Sequence, residues 1–203
     1  MSSSSGVRAW LRAIGPAGAV SLLSLAAAWA AIALAVHGSR RFSVLLALLA
    51  FLLDMLDGYV ARRTGRASEF GRLLDSMIDL VNYSLYSAVL VAFHLAPGWL
   101  GWALGFVIVA TGALRLVRFS VTGFEDEQTK YYRGVVTPHL SLATMILLFA
   151  AQWAALPGWV VAVVLLVLSL LQLSDIKVPK TGWQWFWAGL VIPLGVAAVL
   201  WLS

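Results

Sequence analysis

The sequence predicts an all-α fold, a polytopic transmembrane helical bundle. Three observations predict it. The chain has 203 residues, of which 62% are hydrophobic and 11% charged. Apolar runs recur along it, and several approach the ~20 residues needed to cross a bilayer as a helix. The runs are solidly apolar rather than alternating, which argues against a membrane barrel. Length suggests one domain.

Seven spans can be read in order: Ala17–Val36, Phe42–Ala61, Leu73–Leu95, Trp99–Leu116, Pro138–Ala155, Trp159–Leu173 and Trp183–Leu202. The sixth is short, which fits a tilted, re-entrant or flank-extended segment. Met1–Gly6 reads as a disordered polar tail. Val7–Ile14 carries Arg8 and Arg12 four apart around Trp10 and Leu11, either an amphipathic helix on the membrane surface or an unstructured basic flank. The first apolar run is long for a signal peptide and reads as an uncleaved first helix. The expected organisation is therefore a tail over residues 1–16 and one membrane domain over 17–203.

Charge sets the expected orientation. With the N-terminus in the cytoplasm, the inner segments hold Arg8, Arg12, Arg62, Arg63, Arg66, Arg72, Arg115, Arg118, Lys130, Arg133, Lys177 and Lys180. That is twelve of the fourteen Lys and Arg, leaving only Arg40 and Arg41 outside. The opposite orientation would invert this bias. The net charge of +5 thus reads as membrane flanks facing anionic headgroups, with no nucleic-acid partner expected. There is no cysteine, so thiolate metal sites and disulfides are excluded. Trp99, Trp159, Trp183 and Trp201 sit near span ends, as interfacial anchors do.

Four of the nine acidic residues fall inside the second and third spans: Asp54, Asp57, Asp75 and Asp79. Each costs roughly 2.5–3.5 kcal/mol to place in a membrane helix, so four together call for a function. Asp54 and Asp57 are three apart, Asp75 and Asp79 four apart, so each pair shares a helical face. The short link between the spans makes them antiparallel neighbours. At about 1.5 Å per residue, Asp57 and Asp54 lie roughly 7 and 12 Å below Arg62, and Asp75 and Asp79 roughly 6 and 12 Å above Gly71. All four meet just beneath the inner surface, at the level of a lipid headgroup. So close together they would not all ionise unaided, and divalent cations resolve the repulsion. Oxygen ligands without Cys or a nearby His suit magnesium, manganese or calcium rather than zinc. Two such ions could clamp a diphosphate. Gly58, Ala61 and Gly71 lie on or beside the acidic face, where small residues admit a ligand or allow close helix packing. Arg62 neutralises phosphate or marks the interface.

These residues stand in the order D-x-x-D-G-x-x-A-R-x(8)-G-x-x-x-D-x-x-x-D over residues 54–79. The pattern resembles the signature of the CDP-alcohol phosphotransferase family at every position. The resemblance implies an integral-membrane homodimer with six core helices, here plus one more, and a site open to the cytoplasm of a prokaryotic inner membrane. It implies transfer of a substituted phosphate from a CDP-linked donor to an alcohol, with release of CMP. By position it gives Asp54, Asp57 and Asp75 to a divalent metal, magnesium or manganese. It makes Asp79 general base on the acceptor hydroxyl and a further contact to the metal. Gly58, Ala61 and Gly71 would line the nucleotide pocket, supported by Arg62.

Further runs resemble the bacterial and archaeal phosphatidylserine synthases of that family. G-A-L-R-L-V-R-F-S over 112–120 is similar to G-A-L-R-L-A-R-F-N, and Ser68–Gly71 and Leu74–Val81 to S-E-F-G and L-D-S-L-A-D-x-V. Y-Y-R-G-V-V-T-P over 131–138 resembles Y-F-x-G-L-P-x-P. The resemblance implies CDP-diacylglycerol as donor and serine as acceptor. Ser120, Val135-Val136 and the run Asn82-Tyr83-Ser84-Leu85-Tyr86, standing against S-F-G-V-A-P, depart from the pattern. Glycerol phosphate, inositol phosphate and choline remain alternative acceptors.

Arg115 and Arg118, three apart, would hold donor phosphates or an acceptor carboxylate, Arg forming forked bonds to either. Lys130 and Arg133 are more exposed candidates. Glu125-Asp126-Glu127 reads as a solvated loop, and His37, His94 and His139 as structural. Asn82 and Tyr83 would floor the pocket, and Tyr83 and Tyr86 at helical spacing suit core packing. A divalent-cation transporter is the competing class, since intramembrane carboxylates also line ion paths. The clustering of the acids at one depth argues against it.

Overall fold

The computed structural model describes residues 3–64, 69–122, 131–179 and 195–196. Among these lie six helices: α1 Ser3–Val36, α2 Arg40–Thr64, α3 Glu69–Leu95, α4 Trp99–Thr122, α5 Thr137–Ala154 and α6 Gly158–Leu171. The all-α polytopic bundle expected from the sequence is therefore the fold observed. Four helices, Ile14–Val36, Arg40–Thr64, Glu69–Leu95 and Trp99–Val121, are long and apolar enough to cross a membrane. The 14-residue α6 is only about 21 Å long, short of the ~30 Å hydrocarbon core. The seventh expected span lies outside the described residues apart from 195–196.

The chain start differs from expectation. Backbone from Ser3 is already helical, where a disordered tail to Gly6 was expected. A break follows at Gly15, with φ 61° and ψ −176°. Pro16 disfavours helical geometry in the residue before it, and glycine alone accepts positive φ without strain. The break separates a short N-terminal piece from the spanning part of α1.

Small residues bring the first helices together. Ala28, Ala31 and Ala35 on α1 and Ala47 and Ala50 on α2 are all buried. The resulting approach lets serines bond across to backbone: Ser43 Oγ donates to the Ala31 carbonyl at 2.8 Å, and Ser24 Oγ to the Ala50 carbonyl at 2.7 Å. The α3–α4 contact uses the same device. A Cβ on Gly112 of α4 would stand 2.1 Å from Ser84 Oγ of α3. Tyr86, Leu90 and Val91 of α3, Ile108 of α4, Leu140 and Leu148 of α5 and Val161 and Leu165 of α6 fill the centre. Large apolar side chains cover the outside. Trp99, Trp153 and Trp159 are 80%, 83% and 67% exposed and stand at the start of α4, the end of α5 and the start of α6, as interfacial tryptophans do.

Two features were not anticipated. Helix α3 widens into π turns at Leu80–Leu85 and Val91–Leu95. The first begins directly after Asp79, and such bulges recur at functional sites. The second feature is a short antiparallel ribbon, β1 Tyr131–Arg133 against β2 Lys177–Pro179, with Tyr132 opposite Val178. Gly134 ends β1 with φ 71°, and a Cβ there would stand 2.4 Å from the Gln172 carbonyl oxygen. Its N–H donates to the Ile176 carbonyl at 2.8 Å. Glycine is thus required both by conformation and by the closeness of the chain that follows α6.

Candidate active site

Helices α2 and α3 deliver the acids. Carboxylate oxygens of Asp54, Asp57 and Asp75 lie within 4.8 Å of one another. Asp79, one turn further along α3, stands outside that trio but in electrostatic contact with Asp54 and Asp75. The local reason is helical spacing: three- and four-residue steps keep each pair on one face, and the faces meet across the α2–α3 contact. Asp57 is 5% exposed and has the Ser21 hydroxyl of α1, Asp54 and Arg62 as neighbours.

Three carboxylate oxygens, Asp54 Oδ1, Asp57 Oδ2 and Asp79 Oδ1, are buried without a hydrogen-bond donor, and the Asp54 and Asp79 carboxyls stand within hydrogen-bonding reach of each other. Burying carboxylate oxygens unsatisfied is costly, so an all-oxygen cluster of this kind fits a hard divalent cation. Asp54, Asp57 and Asp75 are the residues that could hold one.

Cationic groups approach from two sides. Arg115 of α4 is buried, lies 5.9 Å from the Phe119 ring centroid, and is an electrostatic neighbour of Asp79. Its Nε has no hydrogen-bond partner. Arg62 of α2 is exposed and folds back over Gly58, where a Cβ would stand 3.3 Å from Arg62 Nη1. Ala61 and Gly71 are half-buried near the same end.

Arg118, expected to share a ligand with Arg115, is otherwise engaged. It donates to the Leu173 carbonyl at 3.1 Å and pairs with the exposed Asp175. The hydrogen bond from Arg118 holds the Asp175 carboxyl below its ordinary range. The two arginines thus divide: one beside the acids, the other clasping the chain after α6.

Two tyrosines join the site. The Tyr83 hydroxyl donates to Asp54 Oδ2 at 2.7 Å. By sequence position Tyr83 suits either a pocket floor or core packing. Its spacing of four from Asp79 put it on the acidic face, but nothing in the sequence showed the bond to Asp54. Tyr132, on the ribbon, has Arg115 and Arg62 as electrostatic neighbours and lies 6.5 Å from the Phe119 ring. Burial pushes its phenol above the ordinary 10, against the pull of both arginines, so it stays a neutral donor. No sequence signal linked β1 to the acids, because the link runs through a pairing with β2.

Asn82 turns to α1, its Nδ2 donating to Ser24 Oγ at 2.8 Å. Tyr86 is a core residue whose hydroxyl shares a hydrogen bond with Ser43 at 3.1 Å. His139 is half-buried with Arg115 as a neighbour. His94 Nε2 meets the Ala35 carbonyl oxygen at 2.8 Å, at the end away from the acids. Arg133 is exposed on β1. Lys130 and Glu125-Asp126-Glu127 lie outside the described residues.

Four helices long and apolar enough to cross a membrane, with an oxygen-only carboxylate cluster where two of them meet, define an integral membrane protein. The chain belongs to the CDP-alcohol phosphatidyltransferase family, whose model matches residues 16–173. It is 30% identical over 165 residues to the archaetidylserine synthase of Methanothermobacter thermautotrophicus, covering 79% of this chain and 68% of that one. It is 33% identical over 132 residues to the CDP-diacylglycerol–serine O-phosphatidyltransferase of Methanocaldococcus jannaschii, covering 65% of this chain and 61% of that one. A protein of the same description from Mycobacterium leprae is 30% identical over 171 residues, 79% of this chain and 57% of its own length.

Proposed function

We propose that this protein is a CDP-diacylglycerol–serine O-phosphatidyltransferase of phospholipid biosynthesis. The observation that carries the reading is the carboxylate trio within 4.8 Å, with Asp79 beside it and the buried Arg115 beyond. The family match and the names of the relatives support the same chemistry.

In this reading Asp54, Asp57 and Asp75, with Asp79 at their edge, would hold magnesium or manganese, two ions when fully loaded, and the charge supplied there would neutralise the pyrophosphate of the donor. Gly58, Ala61 and Gly71 leave room for the cytidine nucleotide, and Arg62 supports its phosphates. Asp79 takes the proton of the serine hydroxyl, which is too weak a nucleophile unaided. The serine oxygen forms a bond to the phosphorus that carries diacylglycerol. The bond from that phosphorus to the bridging oxygen breaks, and CMP leaves with the electron pair. In the same reading Arg115 binds a donor phosphate or the serine carboxylate. Arg118 serves through its clasp on the chain after α6. The site faces the cytoplasm of a prokaryotic inner membrane, in a homodimer.

An acceptor screen tests this. Full-length protein in detergent is given CDP-diacylglycerol, manganese and one alcohol at a time, with CMP release as readout. Serine should be the active acceptor and phosphatidylserine the product. CMP release with glycerol phosphate, inositol phosphate or choline but not serine would reject the acceptor and keep the chemistry. Manganese flux into liposomes without nucleotide would favour a transporter instead.

A further inference from the structure

We propose that Tyr83 is a positioning residue that decides which oxygen of Asp54 is offered to a divalent cation. The inference rests on the metal reading of the carboxylate cluster given above. Tyr83 is 2% exposed, and its hydroxyl donates to Asp54 Oδ2 at 2.7 Å. The other oxygen, Asp54 Oδ1, is buried without a hydrogen-bond donor, and the group facing the Asp54 carboxylate there is another acid of the same cluster, Asp79. A carboxylate with one oxygen held by a phenol can no longer swing freely, and the remaining oxygen is the one left for a ligand. Carboxylate ligands held in this way by an outer hydrogen bond bind metal more tightly.

The tyrosine is itself fixed. Its ring packs edge-on against Phe51, with centroids 5.8 Å apart and planes at 76°. The π turn over Leu80–Leu85 sets its direction. Within that turn Asn82 reaches Ser24 on α1 while Tyr83 reaches Asp54 on α2. Tyr83 also stands where the run S-F-G-V-A-P of the phosphatidylserine synthases has phenylalanine. This chain keeps the ring and adds a hydroxyl, and the hydroxyl meets the acid.

The test is a metal-binding measurement without turnover. Manganese is titrated into full-length protein in detergent, and free Mn²⁺ is read by electron paramagnetic resonance. Tyr83→Phe should weaken binding by about tenfold, the usual cost of losing such an outer partner. Tyr86→Phe removes a buried phenol that bonds Ser43 instead, and should leave binding unchanged. In an Asp54→Asn background, Tyr83→Phe should have no further effect. In turnover assays the manganese concentration for half-maximal rate should rise about tenfold, with a smaller change in the rate at saturating metal. Binding by Tyr83→Phe within twofold of wild type overturns the proposal, as does equal weakening by Tyr86→Phe. Wild-type protein that binds no manganese overturns the metal reading itself, and this inference with it.

Discussion

Asp75→Asn is expected to stabilise the protein when divalent cations are stripped and to lose that advantage when they are restored. The oxygens of Asp54, Asp57 and Asp75 lie within 4.8 Å of one another. At an effective dielectric constant of ~20, two full charges at that separation repel by about 3.5 kcal/mol. Asp75 belongs to two such pairs, so neutralising it removes up to about 7 kcal/mol of repulsion from a fully ionised cluster. Proton sharing among the carboxyls trims this, and a net gain of about 2 kcal/mol is within the range of single substitutions. For a chain of this length that corresponds to a rise of about 4–8 °C in Tm. Saturating manganese offsets this gain. Wild type gains about 2.7 kcal/mol at a hundredfold excess over Kd, and the variant, one ligand short, gains less. Thermal unfolding in detergent, with EDTA and with millimolar manganese, reads both states. A variant that melts below wild type in EDTA, or a manganese shift equal in the two proteins, would refute the reasoning.

Asp79→Asn should lower turnover by about 10²–10⁴-fold, the usual contribution of a positioned base, while CDP-diacylglycerol binding stays measurable by titration; near-normal turnover would remove Asp79 as the base. Gly112→Ala should cost about 1–3 kcal/mol by overpacking, since the added Cβ would stand 2.1 Å from Ser84 Oγ and 3.0 Å from Ser84 Cβ. Turning the serine hydroxyl away relieves only the first contact, so Ser84→Gly should restore the melting temperature of Gly112→Ala, and failure to do so would show that the α3–α4 contact is not the cause.

The polytopic bundle was legible because its determinants are local. A run such as Phe42–Ala61 declares a membrane helix by composition, since only intra-helix hydrogen bonds satisfy its backbone in lipid. The grouping of Asp54, Asp57 and Asp75 was also legible, because helical spacing and a short link between two helices leave little freedom. Boundaries were less so. Helix α2 runs to Thr64 and α4 to Thr122, past the apolar residues that signalled them.

What the sequence by itself determined is therefore the class of fold, the membrane-embedded acids and the faces they share. Tertiary structure alone decided that Tyr83 bonds Asp54, that Arg115 stands by Asp79 while Arg118 clasps Asp175, and that Tyr132 reaches the site on a ribbon. The physical reason is the range of the interactions involved. Helical periodicity repeats within a few residues, so it is written along the chain. A side chain's partner on another helix depends on how helices rotate and approach, and here a π turn and glycine-lined contacts set that rotation.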